Sequence, residues 1–465
     1  MNKCFRFFLA FVIAAYAIIT FNSGCAQIGA VTGGPRDSLA PVLIKATPPN
    51  NATNFTGNRI SLNFDEYVDV QDLQNNLVVS PVPKNNPIIL NNLKNVTIKF
   101  RDTLLPNTTY SINFGNAIRD VNEGNILKNF TYAFSTGKIL DSLTFHGHVF
   151  LAETGKTDST IIVMLYKNAD DSAVQKIKPN YIAKVNGDGS FLFKNLPAEK
   201  FKVYALKDGD GGKTYNSKTE LFAFTDAEIS VSQSTDSLNL YASALEKEAP
   251  RPQVSGTNKK PVVEKSLRFS TNLEQGTQSL LDSLQLIFNN PIKEFDAQKI
   301  ALTDTNFAPF TNAKPLLDST AKKLSINIPW QPEQYYVLVL QQDALLDSFD
   351  NKLAKNDTLR FKAKSTEAYG NVVLRFSNLD LTKHPVIQFV TSNEVKFSYP
   401  ITANTWSNKL FVPGEYEIRI LYDTNQNGIW DPGNYNLKLQ PEKVIPLPQK
   451  IAIKANWDNE RDINL

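Results

Sequence analysis

In a chain of 465 residues, 49 lysines and arginines stand against 46 aspartates and glutamates, a net charge of only +3. That near balance gives no electrostatic ground for nucleic-acid binding, which needs a concentrated basic face. Aromatics at 11% and turns crowded with Asn, Thr and Pro point to many short strands joined by polar loops, in a chain long enough for three or four domains.

Residues 1–24 have the three parts of an export signal: Lys3 and Arg6 as a positive start, an apolar run from Phe7 to Phe21, and Asn22-Ser23-Gly24 leading into Cys25. The run of about 15 residues is short for a bilayer span of roughly 20, so it reads as a segment removed after export. Small residues directly before a cysteine suit a lipoprotein signal peptidase, although Asn22 stands where leucine is commonest. Cys4 lies in the discarded segment, so the mature chain has one cysteine and no disulfide. A lone cysteine at the first mature position is better explained as a lipid anchor than as a redox or metal residue. The other reading is a plain secretory signal with Cys25 incidental.

Residues 25–40, with Gly33-Gly34-Pro35-Arg36-Asp37, form a tether. Residues 41–139 form a first module: Arg59 to Phe64 alternates with period two, and strands follow at Leu77 to Ser80, Pro87 to Leu90, Asn95 to Phe100, Thr109 to Phe114 and Asn129 to Ser135. Each is short and bounded by turn residues, as in a sandwich. Residues 140–245 form a second module, with strands at Phe145 to Leu151, Thr160 to Tyr166, Tyr181 to Val185, Ser190 to Lys194 and Phe201 to Leu206. Asn186-Gly187-Asp188-Gly189 marks a tight turn, and Phe191 and Phe193 share an inward face. Residues 246–265, rich in proline and lysine, read as a linker.

The pattern then recurs. Residues 266–366 repeat the first module, with Leu284 to Pro291 answering Ile60 to Tyr67, and Asp347 to Asn351 echoing Asp120 to Asn125. Residues 367–465 repeat the second, with Tyr416 to Leu421 leading into a polar loop placed like the one that opens at Asp208. The expected fold is all-β, tandem β-sandwich modules in A-B-A-B order with a period of about 225 residues, from duplication of a two-domain unit.

The stretch from Cys25 through Gly33-Gly34-Pro35-Arg36-Asp37, Pro41 and Pro48 to Ile60–Tyr67 resembles a family of Bacteroidota outer-membrane lipoproteins with a bacterial Ig-like domain. The B modules resemble the prealbumin-like, or carboxypeptidase-regulatory, β-sandwich. The resemblance implies a cell-envelope accessory or adhesion protein, associated with outer-membrane assembly or export. It carries over no catalytic residue.

Local chemistry is sparse. Asp423, Asn425, Asn427, Ile429 and Asp431 follow the first part of a calcium loop, with side-chain oxygens at positions one, three, five and nine and a backbone carbonyl at seven. The twelfth position is Asn434 rather than glutamate, and the second reading of the loop is an Asx turn in which these side chains cap backbone amides. Asp208 and Asp210 offer fewer carboxylates and more glycine. His146 and His148 share one strand face without a third ligand nearby, and the remaining histidine is His384. Asp65 and Glu66, expected on opposite strand faces, make no acid/base pair. No nucleophile elbow, phosphate loop or zinc-protease motif is present.

These features lead to a non-enzymatic, lipid-anchored outer-membrane protein. Its partners would be an outer-membrane β-barrel or other envelope proteins, with no nucleic acid and no cofactor beyond the calcium option. The alternative is a surface-exposed adhesion or glycan-binding lipoprotein. Ala26 to Ala30 holds no acidic cluster of the kind associated with surface export, which favours the periplasmic side. Trp406, Trp430 and Trp457, all in the last module, mark it as a candidate contact region, whether core or exposed.

Overall fold

The computed structural model describes residues 8, 11–14, 36–167, 170–233, 236–247 and 266–465. Cys25, most of the tether and most of the 246–265 linker lie outside the described residues. No helix among the described residues is long and apolar enough to cross a membrane. The chain divides into two compact units, residues 1–143 with 194–197 and residues 144–193 with 198–465.

The chain is all-β, built as tandem sandwiches. In the first, one sheet runs in the order Leu43–Thr47, Arg59–Phe64, Asn95–Lys99, Ile88–Asn92, and the other Val78–Ser80, Thr109–Asn113, Thr131–Ser135. The alternation read from Arg59–Phe64 does what period two requires: Ile60, Leu62 and Phe64 point inward to meet Val96, Ile98, Ile112, Tyr132 and Phe134. Tyr132 keeps its hydroxyl satisfied by donating to the Pro48 carbonyl at 2.9 Å. A separate pair, Val68–Val70 with Ile118–Asp120, closes one end. There Asp120, 1% exposed, accepts the amides of Glu123, Gly124 and Asn125 at 2.6, 3.1 and 2.8 Å.

The third sandwich repeats this. Its sheets are Phe269–Thr271, Leu284–Phe288, Lys323–Ile326, Pro315–Leu317, and Thr277–Gln278, Asp357–Ala363, Tyr335–Leu340, Ile300–Thr303. The parallel strand Thr277–Gln278 has only a one-residue counterpart in the first sandwich, the bridge of Ala52 to Phe134. Asp347, also 1% exposed, occupies the place of Asp120 and accepts the amides of Phe349 and Asn351, both at 2.9 Å.

The second and fourth sandwiches match each other strand for strand. The second has sheets Ser190–Leu196, Leu143–Leu151, Leu238–Ala242, and Tyr181–Lys184, Ile162–Tyr166, Lys200–Leu206, Phe222–Phe224, with Ile229–Ser230 also on Lys200–Leu206. The fourth has Thr405–Phe411, Gly370–Ser377, Asp458–Asn464, and Glu394–Pro400, Pro385–Thr391, Gly414–Tyr422, Val444–Pro446, with Ile451–Ile453 also on Gly414–Tyr422. In both, the final strand returns parallel to the first. The A-B-A-B order is therefore present in topology, where the sequence offered only loop positions and patterning. Most strands of the fourth sandwich, Gly370–Ser377 and Pro385–Thr391 among them, had not been read from the sequence. Asp65 and Glu66 sit in a bend after their strand rather than on its two faces.

Candidate functional site

Two strands of the second sandwich, Ile162–Tyr166 and Lys200–Leu206, are buried on both faces over most of their length. Val163 and Leu165 face the sandwich interior, so something must cover Met164, Tyr166, Tyr204 and Leu206 on the outside. The cover is partly local, from Ala173, Val174 and Tyr215, and partly remote. Tyr435 of the fourth sandwich, 7% exposed, belongs to this same apolar cluster.

Tyr435 is a plug. Its ring centroid lies 5.8 Å from Tyr204, 5.2 Å from Phe222 and 5.1 Å from Phe224, all at edge-to-face angles favoured by the aromatic quadrupole. Its hydroxyl shares a 3.0 Å hydrogen bond with the Tyr204 hydroxyl and donates to the Asp171 carbonyl at 2.8 Å. Burial pushes both phenols above their usual pKa, Tyr435 by far the more. Lys438 covers the exposed face of the Tyr435 ring at 3.8 Å and pairs with Asp171 at 3.0 Å. Hydrogen bonds from Lys202 and then Lys438 hold the Asp171 carboxyl below the usual range. Gln440 donates to the Phe224 carbonyl and to Asp226, and the Gly433 amide donates to Ser243. A second contact involves the turn at Gly155, whose φ of +66° takes the left-handed region, and whose absent Cβ leaves room for Pro446. Next to it Lys156 pairs with Glu417 at 3.3 Å.

The loop that carries Tyr435 begins with the candidate calcium residues. Asp423, 2% exposed, accepts the amides of Asn427 at 3.2 Å and Gly428 at 2.7 Å. Asn425 and Asn427 both donate side-chain amides to Asp431 at 2.7 Å. The Asn427 side-chain oxygen accepts the Ile429 amide at 2.8 Å. The sequence reading missed Glu442. Its carboxylate accepts the amides of Thr424 at 2.6 Å and Asp431 at 3.0 Å, bracing the loop from the far side, while Trp430 donates to its carbonyl. Burial raises the Glu442 pKa against the pull of those two amides, and Asp423 and Asp431 add to the rise. No local spacing signals this, because Glu442 lies on the return arm of the loop. The donor set for a calcium ion would be Asp423, Asn425, Asn427 and Asp431. Here those side chains are engaged with one another and with the backbone.

The other marked residues stand apart. Among the described residues no group of three or more His, Cys, Asp or Glu is placed to hold a metal. His146 is exposed, and His148 is half-buried and stacked on Phe150. In the loop equivalent to 423–431, Asp208 accepts the Lys213 amide and Asp210 the Gly212 amide. Trp406 packs partly buried on the fourth core, Trp430 on a small cluster of Val386, Leu421 and Val444, and Trp457 is 62% exposed.

Above the docked surfaces lies an open cleft of about 950 Å³. Phe150 and Tyr241 of the second sandwich, with ring centroids 5.9 Å apart, form one wall. Tyr422, His384 and Lys383 of the fourth line the other side, with Lys443 between. Lys443 stands 4.6 Å over the Tyr241 ring and Lys383 5.6 Å over that of Tyr422.

No curated protein matches the chain. Among solved structures, the major pilin subunit BcpA of Bacillus cereus aligns at 10% identity over 70% of this chain and 99% of its own, with a TM-score of 0.17. The S-layer protein rSbsC(31-844) aligns at 10% identity over 91% of this chain and 54% of its own, with a TM-score of 0.16. A fragment of alpha-2-macroglobulin from Escherichia coli gives 13% identity, 66% and 96% coverage, and a TM-score of 0.16. Superpositions this distant bear on neither fold nor function. One family match is specific: residues 37–136 match the bacterial Ig-like domain, and the chain is thus a protein that carries a bacterial Ig-like domain as the first of its tandem β-sandwiches.

Proposed function

We propose that the chain is a non-enzymatic envelope lipoprotein, anchored at Cys25 on the periplasmic side of the outer membrane, that serves as an accessory or scaffold subunit in protein assembly or export. The observation that carries this reading is the docking of the second and fourth sandwiches. Modules separated by a whole intervening domain are joined through a buried aromatic plug, so that part of the chain is a braced frame rather than a string of beads. Such a frame holds its edge strands, Glu394–Pro400 and Tyr181–Lys184 among them, at fixed positions where a partner's strand can pair with them. The test is purification of the full lipoprotein from native outer membranes in mild detergent. A stoichiometric β-barrel or other envelope partner supports the reading. A chain that emerges alone and is cleaved by protease added to intact cells removes it. That second result would favour the surface adhesion or glycan-binding reading, to which the aromatic cleft lends support.

A further inference from the structure

We infer that the cleft between the second and fourth sandwiches is a saccharide site selective for acidic sugars; the inference rests on the glycan-binding reading and narrows its ligand class. Phe150 and Tyr241 present a half-exposed aromatic wall, their ring centroids 5.9 Å apart. Flat aromatic faces suit the C–H faces of pyranose rings, and the exposed residues Thr382 and Thr424 carry hydroxyls beside them, that of Thr382 donating to Asp380. A cleft of this volume holds a short oligosaccharide rather than a single small ion.

The charge distribution selects the sign. Lys443 and Lys383 are exposed, and each stands over a cleft tyrosine in a cation–π contact. Lys383 also pairs with Asp380 at 3.1 Å, whereas Lys443 has no carboxylate within ion-pair distance among the described residues. The single carboxylate in the cleft lining is that of Glu442, and it is turned away, with its two oxygens on the amides of Thr424 and Asp431. Behind the lining residue Pro446, its strand partner Arg419 is 2% exposed, and its Nε and Nη2 make no hydrogen bond. The nearest carboxylate to Arg419 is Glu417, at 3.6 Å. Of the two lysines that line the cleft, Lys383 thus has Asp380 beside it, while Lys443 stands without a carboxylate partner among the described residues. A sugar carboxylate bridging Lys443 and Lys383 would fill that role while its ring lies on the aromatic wall.

The test is calorimetric titration of the full chain in detergent with tetragalacturonate, a hyaluronan tetrasaccharide and sialyllactose, each beside a neutral oligosaccharide of similar length. At least one acidic sugar is expected to bind about tenfold more tightly than its neutral counterpart. Lys443→Gln should weaken that binding by about tenfold, with a further loss in Lys383→Gln and none in the remote Lys355→Gln. Acidic sugars that bind equally well to Lys443→Gln and Lys383→Gln overturn the inference. Equal binding of neutral and acidic sugars, abolished by Tyr241→Ala, overturns the charge selection and leaves the glycan reading standing. Binding of none of them overturns both.

Discussion

Removing the Tyr435 side chain should undock the fourth sandwich from the second without unfolding either. The ring is held by Tyr204, Phe222 and Phe224 from one side and by Lys438 from the other. Truncating so large a buried aromatic costs about 3–5 kcal/mol. Only part of that is hydroxyl: Tyr435→Phe gives up the bonds to Tyr204 and the Asp171 carbonyl, a loss of about 1–2 kcal/mol. In the docking equilibrium, the alanine variant is expected to open about a thousandfold more often. Amide hydrogen exchange reads this directly, because the strand Phe222–Phe224 and residues 433–441 lose cover while the inner strands Leu143–Leu151 and Gly370–Ser377 keep theirs. A cycle of Tyr204→Phe and Tyr435→Phe should show coupling of about 0.5 kcal/mol or more, as expected for residues that share a buried hydrogen bond. If Tyr435→Ala leaves exchange at residues 222–224 and 433–441 within about twofold of the parent, the plug does not hold the modules together and the frame argument fails.

Further outcomes follow from single sites. Gly147→Ala would put a Cβ 2.0 Å from the Leu238 carbonyl oxygen, breaking the parallel pairing that closes the second sandwich; chemical denaturation should show a loss of about 3 kcal/mol. Asp120→Ala leaves the amides of residues 123–125 without their acceptor and should cost about 1–3 kcal/mol in the first sandwich. Burial raises the Asp120 pKa, but its backbone amides outweigh that and hold it below the usual value. The stability it contributes is therefore present above the unfolded pKa and lost as pH falls through the folded one. Glu442 has the opposite sign. Its folded pKa is raised, so the folded state binds more protons and stability falls as pH rises from the ordinary glutamate range through the folded value. Glu442→Gln should flatten that slope in a pH series of melting curves. If residues 423–431 are a hydrogen-bonded turn rather than a cation site, melting in about 1 mM calcium should match melting in chelator, and a calcium-dependent rise would reassign the loop.

Alternation made some strands of the sandwich architecture legible. Arg59–Phe64 and Ser190–Leu196 alternate because only one side is covered, and period two is what a sequence can display. Pro385–Thr391 is buried on both sides except at its end, so its apolar run had no alternation to read and merged with its surroundings. The same holds for Phe222–Phe224. Cover on the second face removes the period from both strands, whereas Gly370–Ser377 alternates in burial and still went unread. The loop residues Asp423 to Asp431 were legible because their contacts are local. Glu442 and Tyr435 were not, because one closes the loop from its return arm and the other packs on a domain more than 200 residues away in the chain.

The two B modules, alike in strand order, differ in what their equivalent loops do, and this explains why docking is directional. In the second sandwich, the loop after Lys200–Leu206 folds back on its own sheet. Tyr215 stacks on Phe222 with centroids 4.1 Å apart, and its amide donates to the Val174 carbonyl. In the fourth, the loop after Gly414–Tyr422 is braced by Asp423 and Glu442 and reaches outward to place Tyr435 against that same Phe222. One copy thus supplies the knob and the other the socket. A contact made in only one direction closes within a chain when the intervening module lets the two ends meet. If it did not close, the same knob would seek the socket of another copy and build open chains. Replacing residues 423–441 with the shorter loop of the second sandwich should therefore leave the fourth sandwich folded but undocked, with the socket residues Phe222 and Phe224 exposed. Light scattering should then show a monomer, since the knob is gone. Concentration-dependent assembly in that variant would mean that the sockets associate by themselves, and that the direction of docking is not set by the loop.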